Sequence, residues 1–249
     1  MTNHYWKDDI CRKIIEGLRT SCDEIVSFTE DHALPVNAEY LLTVNIAKSI
    51  LTLNSSLGWP LKIYLEYPAQ KFLEKCFPLA RSVGSSSFSP GQTVFRQSPT
   101  IDRPGRTDVA VLRDGQQGCI PVCAIEVKGF NPPKEKVIDD MRRNQEYFAD
   151  ANTGRSQLQF AVSAMVRSYK SQISRKAHVR NLLSKYAHEV QAPTCCAISI
   201  ITGKLRDASV DDDGTIPQLI AGVIIFEWQN NPSDGNSADS NLSYSPRIT

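Results

Sequence analysis

The sequence has no run of about 18 apolar residues able to span a bilayer, and its opening, MTNHYWKDDICRK, lacks the apolar core of a secretory leader. It also lacks an excess of charge. Its 28 Lys and Arg against 27 Asp and Glu leave +1, which excludes a chain basic throughout and confines any polyanion-binding surface to a local patch. Histidine is scarce, with four residues scattered at His4, His32, His178 and His188, and none of the seven cysteines forms a CxxC pair. A structural zinc site and a zinc-finger reading head are therefore not expected. There is no internal repeat and no helix-turn-helix pattern. The cysteines read as reduced thiols, mostly small core residues, in a cytoplasmic protein without membrane association.

What the chain does have is apolar residue enough for a sizeable core: 249 residues, 41% of them hydrophobic. One globular domain over 1–229 is expected, with a core at about 38–148 and a helical and two-strand completion over 153–228. The Asn-, Ser-, Asp- and Pro-rich stretch 230–249 reads as a disordered tail.

Periodicity places the elements. Ile10, Ile14, Leu18 and Ile25 recur at helical intervals, and AEYLLTVNIAKSILTL after Pro35 gives a second, more apolar helix with Glu39 in its first turn. LKIYLEY alternates as a half-buried strand ended by Pro68. AQKFLEKCF is a short helix, and the Ser-, Pro- and Gly-rich 82–104 is mostly loop. RTDVAVLRD and CIPVCAIEVKGF, separated by Gly115 to Gly118, form a hairpin, followed by a helix over PPKEKVIDDMRRNQEYF. In SQLQFAVSAMVRSYKSQI the apolar run is too short to separate helix from strand, and its Ala and Met content favours helix. Another helix, SRKAHVRNLLSKYAHEV, precedes two strands, TCCAISIITGKL and QLIAGVIIFEW. The expected fold is α/β, a central mixed sheet with helices on both faces.

The hairpin carries the chemistry. Residues two apart in a strand share a face, so Glu126 and Lys128 point together, away from Ile125 and Val127. A hairpin symmetric about Gln116 puts Asp108 opposite Ala124, on the face of Glu126 and Lys128, provided no slip or bulge breaks the parity. Two acids held close raise each other's pKa unless a cation intervenes. Oxygen donors of this kind suit Mg²⁺, with Mn²⁺ able to substitute, held by Asp108, Glu126 and the Val127 carbonyl. Lys128 would then stand beside the water that attacks a phosphodiester.

Asp108, a turn, then Glu126-Val127-Lys128 in a strand followed by a helix resembles the PD-(D/E)XK nucleases of the restriction-endonuclease-like superfamily. The resemblance covers about Ala38 to Phe148, and Thr107 stands where that family has a proline. It implies a restriction-endonuclease-like core and Mg²⁺-dependent endonuclease activity, on DNA rather than RNA. It also implies that Glu39 joins Asp108 and Glu126 at the metal, and that a polar residue such as Gln145 lies near the site.

Arg106, two before the aspartate, is placed to reach a phosphate or to pair with a nearby acid. From Arg167 to Lys185 the sequence has Lys170, Arg175, Lys176 and Arg180 and no acid. This run is either a nucleic-acid track or a solvated helix face. Without a reading module, specificity and restraint are expected from a protein partner or a homo-oligomer, as for an effector subunit of prokaryotic anti-phage or restriction defence. The alternative is a non-catalytic nucleic-acid or protein binding module that retains the fold.

Overall fold

The computed structural model describes residues 4–29, 38–55, 60–77, 100, 102, 104–115, 118–148, 156–169, 175–190, 196–207 and 218–228. The tail expected over 230–249, Lys170, and nearly all of the loop expected over 82–104 lie outside them.

Helix α1 spans His4–Thr29 and α2 Glu39–Leu51, the latter continued by a short 3-10 turn, Thr52–Ser55. Strand β1 (Leu61–Pro68) and helix α3 (Ala69–Cys76) lead to the hairpin, β2 (Arg106–Gly115) and β3 (Gly118–Phe130). Helix α4 (Lys134–Glu146), β4 (Phe160–Tyr169), α5 (Arg175–Val190), β5 (Cys196–Asp207) and β6 (Gln218–Trp228) complete the chain.

The strands form one mixed sheet in the order β1-β2-β3-β4-β6-β5. Among the described strands only β3 and β4 run parallel, as their connection through α4 requires, because a parallel pair cannot be closed by a tight turn. Each face has its own core. Helices α1 and α2 cover one with Ile10, Ile14, Leu18, Leu42, Ile46 and Ile50, all fully buried. Helices α3, α4 and α5 cover the other through Phe72, Val137, Met141, Val179 and Leu183. The α/β fold and the helices on both faces are thus as expected. No helix among the described residues is long and apolar enough to cross a membrane.

The expected helix over SQLQFAVSAMVRSYKSQI is corrected to a strand over Phe160–Tyr169, so the described residues of 153–228 hold three strands and one helix. Strand β4 lies inside the sheet, between β3 and β6, and Phe160 to Val166 are buried without a break. With both faces covered, no alternation survives in the sequence to mark a strand.

Helices α1 and α2 touch at backbone distance. A Cβ on Gly17 would lie 2.6 Å from the Ile46 Cα, so only glycine permits this approach. Beside it Asn45 Nδ2 donates to Ser21 Oγ at 3.1 Å and to Glu24 Oε2 at 2.5 Å. This packing seats α2, whose first residue is Glu39, against α1.

Candidate active site at the end of strands β2 and β3

A two-residue loop joins β2 to β3, with Gly115 facing Gly118, and the register runs on to Leu112 opposite Pro121. Continued unchanged, it would set Asp108 against Ile125 and turn it away from Glu126. The register shifts instead between Val111 and Leu112, where Val122 is the extra residue. Pro121, which has no N–H to give the ladder, sits beside this bulge. Beyond it Val109 faces Ile125, so the next pair outward is Asp108 and Glu126. The expected partner, Ala124, in fact faces Ala110. The two-residue loop moves the register by one from a hairpin symmetric about Gln116 and the bulge moves it by one more, which is what brings Val109 opposite Ile125.

A second irregularity lies on the edge strand. Glu66 has φ 51°, a left-handed conformation that costs a non-glycine residue about 1–2 kcal/mol. It breaks the expected alternation of LKIYLEY. Leu65 pairs with Val109, which belongs to the α1–α2 core, whereas Tyr67 pairs with Thr107. Tyr67 packs on Phe72, and Thr107 Oγ1 lies 2.6 Å from the Tyr147 hydroxyl, both on the α3–α4 side. Both strands change sides between these pairs. Glu66 and Asp108, left between them, line an open cleft of about 340 Å³ with Glu39, Tyr40 and Thr43 of α2.

The four residues expected to form the site are neighbours. Asp108 Oδ2 accepts the Val127 N–H at 2.6 Å. Burial pushes its carboxyl up to about 6, opposed by that amide and by Lys128 and reinforced by Asp140 and Glu39. Glu126 is 1% exposed, and its Oε2 meets Arg143 at 3.0 Å while Oε1 is buried with no partner. Burial, and then Asp108, hold its carboxyl well above the usual range against the pull of Arg143. Lys128 Nζ lies 3.0 Å from Asp140 Oδ2, 3.2 Å from its neighbour's Val127 carbonyl and 3.3 Å from Glu39 Oε1. Burial alone would lower its pKa, but Asp140, Glu39 and Asp108 together keep it above the ordinary lysine value. Glu39 Oε2 also accepts the Gly129 N–H at 3.3 Å.

Sequence reasoning missed Asp140 and Arg143. Helix α4 meets the charges of the strand with their opposites, Asp140 on Lys128 and, one turn on, Arg143 on Glu126. The available signal was a polar residue on an apolar stripe: Val137, Asp140, Met141 and Asn144 share a helix face, and all four are buried. Burial also raises the Asp140 carboxyl, against Lys128.

Among the described residues, no three His, Cys, Asp or Glu side chains are gathered to hold a metal as they stand. The partners explain this. Asp108 is turned to an amide and to the α2 cleft, Glu126 to Arg143 beneath α4, and Glu39 to Lys128.

The residues expected to bind nucleic acid are more dispersed. Arg106 is exposed beside the cleft, its guanidinium donating to the Glu66 carbonyl at 2.9 Å. Gln145 Nε2 reaches the Val190 carbonyl of α5 at 3.5 Å. Arg175 opens α5, with its side chain outside the described set, and Lys176 and Arg180 are exposed on that helix. Since β3 and β4 are parallel and α5 follows β4, the start of α5 lies toward the Lys128 end of the sheet. Arg167 is committed elsewhere, donating to the Pro132 carbonyl at 2.9 Å and to the Tyr186 hydroxyl at 3.0 Å. Comparison with protein-family models, curated proteins and solved structures finds no match to this chain.

Proposed function

We propose that this protein is a Mg²⁺-dependent nuclease with a restriction-endonuclease-like core, hydrolysing phosphodiester bonds in DNA rather than RNA. The observation that carries the reading is the meeting of Asp108, Glu126, Lys128 and the helix-borne Glu39 at one end of the sheet. Only a bulge makes Asp108 the cross-strand neighbour of Glu126.

The donor set fits a hard divalent cation. Glu39, Asp108, Glu126 and Asp140 set four carboxylates against two cations, Lys128 and Arg143, and the Glu126 Oε1 is buried without a partner. Asp108, Glu126, Glu39 and the Val127 carbonyl would hold Mg²⁺, which when bound supplies a polarised phosphate oxygen and an acidified water.

The chain's own groups do the rest. All three N–H bonds of the Lys128 ammonium have an acceptor nearby, so it stays protonated and acts as fixed positive charge beside the attacked phosphate, not as a base. Arg106 at the cleft mouth, with Lys176 and Arg180 on α5, would take flanking phosphates. In the cytoplasm such an activity needs restraint, which fits an effector subunit held by a partner or by self-association.

The test is incubation of the purified protein with plasmid, single-stranded DNA and RNA in Mg²⁺, Mn²⁺ or EDTA. Metal-dependent cleavage of DNA is expected, and folded protein that cuts none of these substrates with either metal refutes the reading. The sealed Glu126–Arg143 pair favours a second reading, a non-catalytic binding module. That reading predicts nucleic-acid or protein binding indifferent to EDTA, without cleavage.

A further inference from the structure

The Lys128 ammonium is held from three directions, and the three holds are not equivalent. The Val127 carbonyl belongs to the strand itself and, on the reading above, is a metal donor. Glu39 is 41% exposed at the first turn of α2 and is likewise a candidate ligand, so a cation that draws its carboxylate removes it from Lys128. Asp140 differs on both counts. Its side chain is 7% exposed, it projects from the middle of α4, and that helix is anchored on either side of it by the buried Val137, Met141 and Asn144. Asn144 Nδ2 donates to Ser163 Oγ at 2.9 Å, which ties α4 to β4. The Asp140 Oδ2 lies 3.0 Å from the ammonium, a close contact of charge with charge.

The geometry points to Asp140 as a positioning residue that keeps the Lys128 ammonium aimed at the reacting phosphate once Glu39 and Val127 have turned to the metal. The assignment rests on the proposed phosphodiesterase reading, in which Lys128 is catalytic and Asp140 acts only through it. A positioning residue and an ion pair serving stability alone differ in what they couple to.

The experiment is a double-mutant cycle on single-turnover DNA cleavage in Mg²⁺, with DNA affinity measured in Ca²⁺ and thermal unfolding measured alongside. Asp140→Asn is expected to slow cleavage about 10–100-fold, the usual effect of losing a carboxylate that orients a functional group, with DNA affinity unchanged. Asp140→Glu should recover most of the rate. In a Lys128→Met background Asp140→Asn should add almost nothing, because the two act as one unit. Equal losses in both backgrounds, or cleavage by Asp140→Asn at the wild-type rate, overturn the assignment. Asp140→Ser replaces Asp140→Asn in the cycle if the latter does not fold.

The wild-type reaction separates the two failures. If wild-type protein cleaves nothing with Mg²⁺ or Mn²⁺, the phosphodiesterase reading falls. The ¹⁵N signal of the Lys128 ammonium then still tests the hold: it should be sharp in the wild type and lost in Asp140→Asn. A signal that persists in that variant overturns the assignment.

Discussion

Arg143 and Glu126 meet at 3.0 Å beneath helix α4, the arginine 21% exposed and the glutamate 1%. Removing one partner of a fully buried pair costs about 3–5 kcal/mol, and the partial exposure of Arg143 reduces that to about 2. Arg143→Met should therefore melt several degrees below wild type without metal. Its affinity for Mn²⁺, measured by titration calorimetry, should rise about tenfold, because a competing cation has left the carboxylate. Mn²⁺ affinity unchanged in this variant would show that Glu126 takes no part in holding the ion.

Lys128 is expected to act on rate and not on association. Lys128→Ala should lose at least about a hundredfold in single-turnover cleavage, the typical effect of removing one electrostatic stabiliser, while nucleic-acid affinity changes little. Near-normal cleavage by the variant removes Lys128 from the mechanism.

The buried carboxyls make the metal-free protein sensitive to pH. The folded Asp108 pKa is about 6, above its ordinary 3.8, so the folded state holds a proton that the unfolded chain releases. That stabilisation is complete below about pH 4 and is lost as pH rises through 6, at most about 3 kcal/mol from this group. Glu126, also raised, acts in the same direction. Urea midpoints in EDTA should therefore fall between pH 5 and 7.5, and Asp108→Asn should flatten the slope. A midpoint that climbs over this range in EDTA contradicts the burial of these two acids.

The left-handed backbone at Glu66 gives a stability test independent of catalysis. Glycine adopts φ 51° freely and alanine does not. Glu66→Gly should be about 1 kcal/mol more stable than Glu66→Ala, reversing the order usual for a strand interior. Thermal melts of the two variants decide it.

These residues also mark where the sequence was legible. Ile10, Ile14 and Leu18 announce α1 because the helix buries one stripe, and Glu126, Val127 and Lys128 announce their strand because charge interrupts an apolar run. Strand β4 was illegible because both its faces are covered. The bulge at Val122 leaves no mark beyond Pro121, and the left-handed turn at Glu66 none at all. Asp140 and Arg143 went unread because their meaning lies in the strand they face: i, i+3 spacing on a helix is common, and only the packing of α4 on β3 makes it a complement to Glu126 and Lys128.

The last prediction concerns the seat of Glu39. A methyl group on Gly17 would lie 2.6 Å from the Ile46 Cα and 2.8 Å from the Asn45 carbonyl carbon, both backbone atoms that no rotamer change can clear. Alanine gains about 1 kcal/mol over glycine in a helix interior, so relief at this position would raise stability. Overpacking against rigid backbone costs about 1–3 kcal/mol, and here it must also part α1 from α2. Gly17→Ala is expected to lower the melting temperature despite its better propensity. Because α2 carries Glu39 to Lys128 and to the Gly129 amide, the variant should also bind Mn²⁺ more weakly, with the folded fraction held equal at low temperature. Unchanged Mn²⁺ affinity in a destabilised Gly17→Ala would separate the helix packing from the site and leave Glu39 a partner of Lys128 and the Gly129 amide, not of the ion.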